Sequence, residues 1–134
     1  MTQALSSIAL LVADYDEAIG YFVDVLGFNL AEDACISADK RWVRVTPPGS
    51  PQGGCSLLLA KAANGAQRSA IGNQSGGRVF LFLETDDFAR DYARFQAAGV
   101  QFCETPRQES YGQVVVFEDL YGNRWDLIER ASTR

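Results

Sequence analysis

At 134 residues and 47% hydrophobic content, the chain has the size of a single domain (1–134) that can bury its own core without disulfide or metal staples. Its formal charge is −5, with twelve Lys and Arg residues scattered and no basic run, which speaks against a phosphate-tracking groove and a nucleic-acid partner. It contains no histidine, so any metal or acid–base site must be built without imidazole.

The N-terminal stretch MTQALSSIALLVAD has no basic leader, and its apolar run is too short for a membrane span, pointing to a cytoplasmic protein with no membrane partner. Residues 6–12 (SSIALLV) form a compact apolar run that predicts a mostly buried strand. Asp14 suits a helix N-cap, with Asp16 and Glu17 in the first turn, where the helix dipole favours anions. Ile19, Phe22, Val23 and Leu26 follow at helical spacing. Gly27 is the stop and Phe28 returns to the core. Strands are expected at 29–37, 41–46 and 55–60, the last two separated by the Pro- and Gly-rich stretch 47–54.

The second half repeats this order. A strand at 78–85 leads to Asp86-Asp87 as caps, a helix carrying Phe88, Tyr92 and Phe95, and a stop at Gly99. Strands follow near 100–104, 113–118 and 125–129, with a turn at Tyr121-Gly122-Asn123. Each half is therefore β-α-β-β-β: 5–60 is a first module, 78–130 a second, and the polar stretch 61–77 a linker with a short helix near 67–71. Cys35, Cys55 and Cys103 have no metal-type spacing. Cys55 and Cys103 border apolar runs and are expected to be buried, reduced thiols.

The first-half segment LLVADYDEAIGYFVDVLGF and the terminal VVVFEDLYGNRWDLIE together resemble the vicinal oxygen chelate superfamily over residues 5–130. That superfamily spans glyoxalases, extradiol dioxygenases, and bleomycin- and fosfomycin-resistance proteins. The resemblance implies an α+β fold of two βαβββ modules whose strands make a cupped mixed sheet around a small-molecule ligand, in a homodimer. Phe88 and the 61–77 linker are candidate dimer contacts. Metal-dependent relatives draw four ligands from the first and last strands of each module, and the resemblance places these on Ser7, Leu57, Phe80 and Asp126. Only Asp126 is a competent ligand for zinc or iron, so no metal and no other cofactor is expected.

Strand alternation puts Phe82 and Glu84 on the face of Phe80, and Arg124 and Ile128 on the face of Asp126. The inferred cup is apolar and aromatic, with Glu84 and Asp126 as polar anchors, Trp42 and Tyr111 as further ligand contacts, and Ser7 and Leu57 on its first-module wall. Asp126, flanked by Trp125 and Leu127, needs a donor if it is buried. Tyr111, Arg41 or a ligand are the options. The expected function is a glyoxalase/bleomycin-resistance-like protein that binds a small molecule without metal. The alternative is a divergent enzyme of the superfamily, of lyase, isomerase or dioxygenase type, either metal-free through Glu84 or Asp126 or with a carboxylate-only metal site.

Overall fold

The computed structural model describes residues 1–51 and 53–132. Contacts divide the chain into two compact units, Met1–Ile71 and a second from Gly72 onward, each built around one sheet and one principal helix. The boundary falls inside the expected linker.

In the first unit, β1 (Ser7–Val12), β2 (Asn29–Cys35), β3 (Arg41–Thr46) and β4 (Ser56–Lys61) form a sheet in the order β1-β4-β3-β2. The parallel β1–β4 pair sets the faces of the sheet. Ile8 lies opposite Leu57 and Leu10 opposite Leu59 on the packed side, while Ser7 lies opposite Ser56 and Ala9 opposite Leu58 on the other. Helix α1 (Tyr15–Gly20) starts where expected, with the Asp14 carboxylate accepting from the Glu17 N–H at 2.9 Å. It continues into a π-helical turn, Tyr21–Val25, which brings Phe22 and Leu26 into the core beside Val43, Val45 and Leu59. Gly27 ends the helix at φ 78°, a backbone conformation that a side chain would strain. A short helix, α2 (Gly65–Ala70), packs near β1.

The second unit repeats the plan with an addition. Strands β5 (Val79–Glu84), β6 (Gln101–Phe102), β8 (Gly112–Glu118) and β9 (Arg124–Arg130) run in the order β5-β9-β8-β6, and β7 (Arg107–Glu109) also pairs with β8. Helix α3 (Phe88–Ala97) is capped by Asp87 and buries Phe88 and Phe95 on its sheet-facing side. The core of this unit is aromatic: Phe95 meets Phe117 edge-on, and Phe117 stacks on Trp125 at 5.7 Å. Where a long sixth strand is expected, the chain pairs for two residues, leaves the ladder, and rejoins it as β7. The Glu104 carboxylate fills the gap by accepting the Val116 N–H at 3.0 Å.

Three expectations need correction. All three cysteines are free and exposed, because Cys55 directly precedes β4 and Cys103 directly follows β6, outside the packed register. Phe88 is 2% exposed, so it packs within its own unit and is no dimer contact. Arg41 does not serve Asp126, since it binds Asp33 at 2.7 Å and Asp16 at 2.9 Å. Among the described residues, no helix is long and apolar enough to cross a membrane.

Candidate functional site

The second unit contains a cleft of about 480 Å³ lined by Phe82, Ser110, Tyr111, Asp126, Ile128, Arg130 and Ala131. Its construction follows from strand alternation. On β9, Asp126, Ile128 and Arg130 are two residues apart and so share a face. The parallel register places Phe82 of β5 opposite Asp126, which brings the ring and the carboxylate side by side. On the other flank, the Tyr111 carbonyl accepts the Ala131 N–H at 2.8 Å, tying the β7–β8 turn to the end of β9. Gly112 makes that approach possible. At φ 148° it lies so close to β9 that a Cβ would sit 2.2 Å from the Glu129 carbonyl oxygen.

Asp126 is the chemical centre of the cleft. It is only 9% exposed, and its Oδ1 is buried without a hydrogen-bond partner among the described residues. Burial pushes its carboxyl above the ordinary range; Arg107 pulls it back and Glu104 adds to the rise. Arg107 offers no direct bond, because its guanidinium is engaged by Glu104 at 3.0 Å and by Glu109. A buried acceptor left open is costly, so its natural complement is a donor brought by a ligand.

The other expected site residues separate into groups. Phe82 and Tyr111 line the cleft with Asp126, and both are strongly exposed. Glu84 is on the same strand face as Phe82, but it is turned to solvent and bonds Arg130 at 3.2 Å, so it acts on the cleft only through that arginine. Phe80 falls at the irregularity between Val79 and Leu81 and is half-buried outside the cleft lining. Ser7, Leu57 and Trp42 belong to the first unit. Ser7 and Trp42 lie off its core, whereas Leu57 is 7% exposed on the packed side opposite Ile8. The residue that faces Ser7 is Ser56, one position earlier, and their hydroxyl oxygens are 2.9 Å apart. Ser110 and Ala131 were missed because they lie just outside the strands, where alternation gives no signal, and Arg130 because β9 runs one residue past the expected 125–129.

These residues do not suit a transition metal. The pair Ser7 and Ser56 offers neutral hydroxyls already bonded to each other, and the register partner of Asp126 is the phenyl ring of Phe82. No three His, Cys, Asp or Glu side chains converge among the described residues, whereas a zinc or iron site draws at least three such ligands from the protein.

The buried turn before β9 has a different role. Asp119 accepts from the Tyr121 N–H at 3.0 Å, the Asn123 N–H at 3.1 Å and the Trp125 indole at 3.0 Å. It fixes the entry of β9, and through it the position of Asp126.

A family model for the Glyoxalase/Bleomycin resistance protein/Dioxygenase superfamily matches residues 4–127. An uncharacterised protein of Shewanella frigidimarina is 57% identical over 130 residues, covering 96% of this chain and 95% of that protein. Among solved structures, UcmS2 superposes with a TM-score of 0.81 at 27% identity, covering 96% of this chain and 98% of its own. TnmS3, an antibiotic binding protein from Streptomyces sp. CB03234, superposes with a TM-score of 0.78 at 27% identity, covering 97% and 98%.

Proposed function

The chain belongs to the glyoxalase/bleomycin resistance protein/dioxygenase superfamily, and on that premise we propose that it is a small-molecule-binding protein that works without metal. Its ligand is an apolar, ring-containing molecule that carries a hydrogen-bond donor. The observation that carries this reading is the unpartnered, buried Oδ1 of Asp126 in a cleft otherwise walled by Phe82, Tyr111, Ile128 and Ala131. A volume near 480 Å³ with apolar walls and one or two polar anchors is the usual form of a small-molecule site. The description of TnmS3 as an antibiotic binding protein supports the same class of role.

Binding is favoured on both sides of the contact. A donor reaching Oδ1 relieves the desolvation of the carboxylate, and a ring lying on Phe82 covers a side chain that is 68% exposed. No acid–base reaction is assigned, because the two charged groups that act on Asp126, Arg107 and Glu104, are bonded to each other. The test is calorimetric titration with 2-naphthylmethylamine, an aromatic ring with a cationic donor. Saturable binding to the parent protein, weakened about tenfold or more by Asp126→Asn and also reduced by Phe82→Ala, supports the reading. Equal affinity in all three proteins refutes it.

A further inference from the structure

Arg107 lies within the field of Asp126, yet its guanidinium is turned to other partners. Its Nε–H is shared between both oxygens of Glu104, at 3.0 and 3.1 Å, and its Nη1–H donates to Glu109. Glu104 is itself fixed, because its Oε2 also accepts the Val116 N–H at 3.0 Å. The carboxylate that holds the arginine is thus anchored to the backbone of β8.

The register puts this anchor beside Asp126. Val116 is the cross-strand partner of Asp126. Its N–H goes to Glu104 and its carbonyl accepts the Cys103 N–H at 2.9 Å, so both main-chain groups point away from β9. Val116 and Asp126 are therefore a pair of the closely spaced kind, with Cα atoms about 4.5 Å apart. Arg107 stands on the same face of the sheet. It pairs with Val114, Val114 pairs with Ile128, and Ile128 is two residues from Asp126. Burial raises the Asp126 carboxyl, Arg107 opposes that rise and Glu104 adds to it. A cation is near enough to act on Asp126 and is held off from bonding it. Without the Glu104 charge, the buried Oδ1 is an acceptor lacking a donor on the face that Arg107 already occupies, and a forked guanidinium is well matched to a carboxylate.

We propose that Glu104 is a positioning residue for ligand binding: it holds Arg107 away from Asp126 and so reserves that carboxylate for the donor of the ligand. This rests on the reading of Asp126 as the ligand's acceptor. In the absence of Glu104 an internal ion pair closes the cleft, and a ligand has to displace an intramolecular guanidinium. A Glu104 that served only to satisfy the Val116 N–H would behave differently. Glu104→Gln keeps an acceptor oxygen for that N–H, and removing Arg107 as well would restore nothing.

The experiment is calorimetric titration of 2-naphthylmethylamine at one ionic strength near neutral pH, with thermal melts of the same proteins. Glu104→Gln should weaken binding about tenfold or more. Adding Arg107→Met to it should return affinity to within about threefold of the parent, since the two substitutions together leave the net charge unchanged and remove the competing donor. Glu109→Gln takes the same charge from the same arginine but leaves the anchor on β8, and should change affinity by less than about threefold. In the melts, Asp126→Asn should raise Tm in the parent and no longer raise it in the Glu104→Gln background, where Asp126 has gained Arg107. The proposal is overturned if Glu104→Gln binds like the parent, if the double variant stays weak, or if Glu109→Gln weakens binding as much. Survival of the Asp126→Asn gain in the Glu104→Gln background also overturns it, as does the lack of any gain in the parent. Arg107→Met alone should bind the amine at least as tightly as the parent, and weaker binding overturns the proposal even where Glu104→Gln fails to fold. A parent that does not bind the amine refutes the ligand reading itself, and the melts, which need no ligand, then decide whether Glu104 holds Arg107 off Asp126.

Discussion

Replacing Asp126 by Asn keeps the shape of the side chain and removes its charge, and the ligand-free protein should become more stable at neutral pH. Oδ1 is buried and receives no hydrogen bond from the described residues, so the ionised carboxylate carries an uncompensated desolvation penalty. Such penalties are about 1–3 kcal/mol. The attraction of Arg107 and the open side of the cleft place this one near the low end, about 1–1.5 kcal/mol. With an unfolding entropy of roughly 2.1 cal/mol/K per residue, a chain of this length gains about 4–5 °C in Tm. The effect has a definite pH dependence. Burial raises the folded-state pKa of Asp126 above its unfolded value, so the favourable contribution is complete below the unfolded value near ~4 and is lost as pH rises through the folded one. The advantage of the amide should therefore be full at pH 7–8 and vanish below about pH 4. Thermal melts of both proteins across that range measure it. An amide variant less stable than the parent at pH 7, or a gap independent of pH, would show that Asp126 has a structural donor and is no open acceptor.

Other outcomes follow from the same geometry. Asp119→Ala removes the carboxylate that accepts from two backbone N–H groups and the buried Trp125 indole, and should cost about 2–4 kcal/mol in chemical denaturation; a loss under about 0.5 kcal/mol would contradict the role given to this turn. Gly112→Ala should lower Tm and weaken 2-naphthylmethylamine binding together, since the Cβ has to displace β9 beside the cleft; an unchanged Tm would refute the close approach. We also propose a homodimer, since Leu30, Ile36 and Phe82 are exposed and every residue of β2 lies at the surface; sedimentation showing only monomer at micromolar concentration would remove that proposal.

The caps and stops were legible because they depend on local chemistry. Asp14 and Asp87 sit at helix starts with their carboxylates on backbone N–H groups, and Gly27 and Gly99 have the positive φ that a helix end favours. Periodicity found β1, β3, β8 and β9 to within a residue or two, and it put Asp126 and Ile128 on one face. It failed where side chains replace backbone partners. The Glu104 carboxylate substitutes for a strand between β6 and β7, and nothing in the spacing of Thr105, Pro106 and Arg107 announces that exchange. Register across a parallel pair was likewise hidden. The sequence reading placed Leu57 on the cup wall, and only the pairing of β1 with β4 sets Ser56 against Ser7 and Leu57 against Ile8. In the first unit the Glu32 carboxylate joins Trp42 and Arg44, ten and twelve residues away, through hairpin geometry, which composition does not encode.

The central claim is that the Asp126 cleft binds its ligand by an open carboxylate and an apolar wall, with no metal involved. The most direct test is a titration of 2-naphthylmethylamine into protein dialysed against EDTA, with elemental analysis of the same sample and a parallel titration after adding back zinc, manganese or iron. The account predicts less than stoichiometric metal, an unchanged Tm after chelation, and the same affinity before and after metal is restored. Binding that disappears with EDTA and returns with one metal at one equivalent per chain would contradict it.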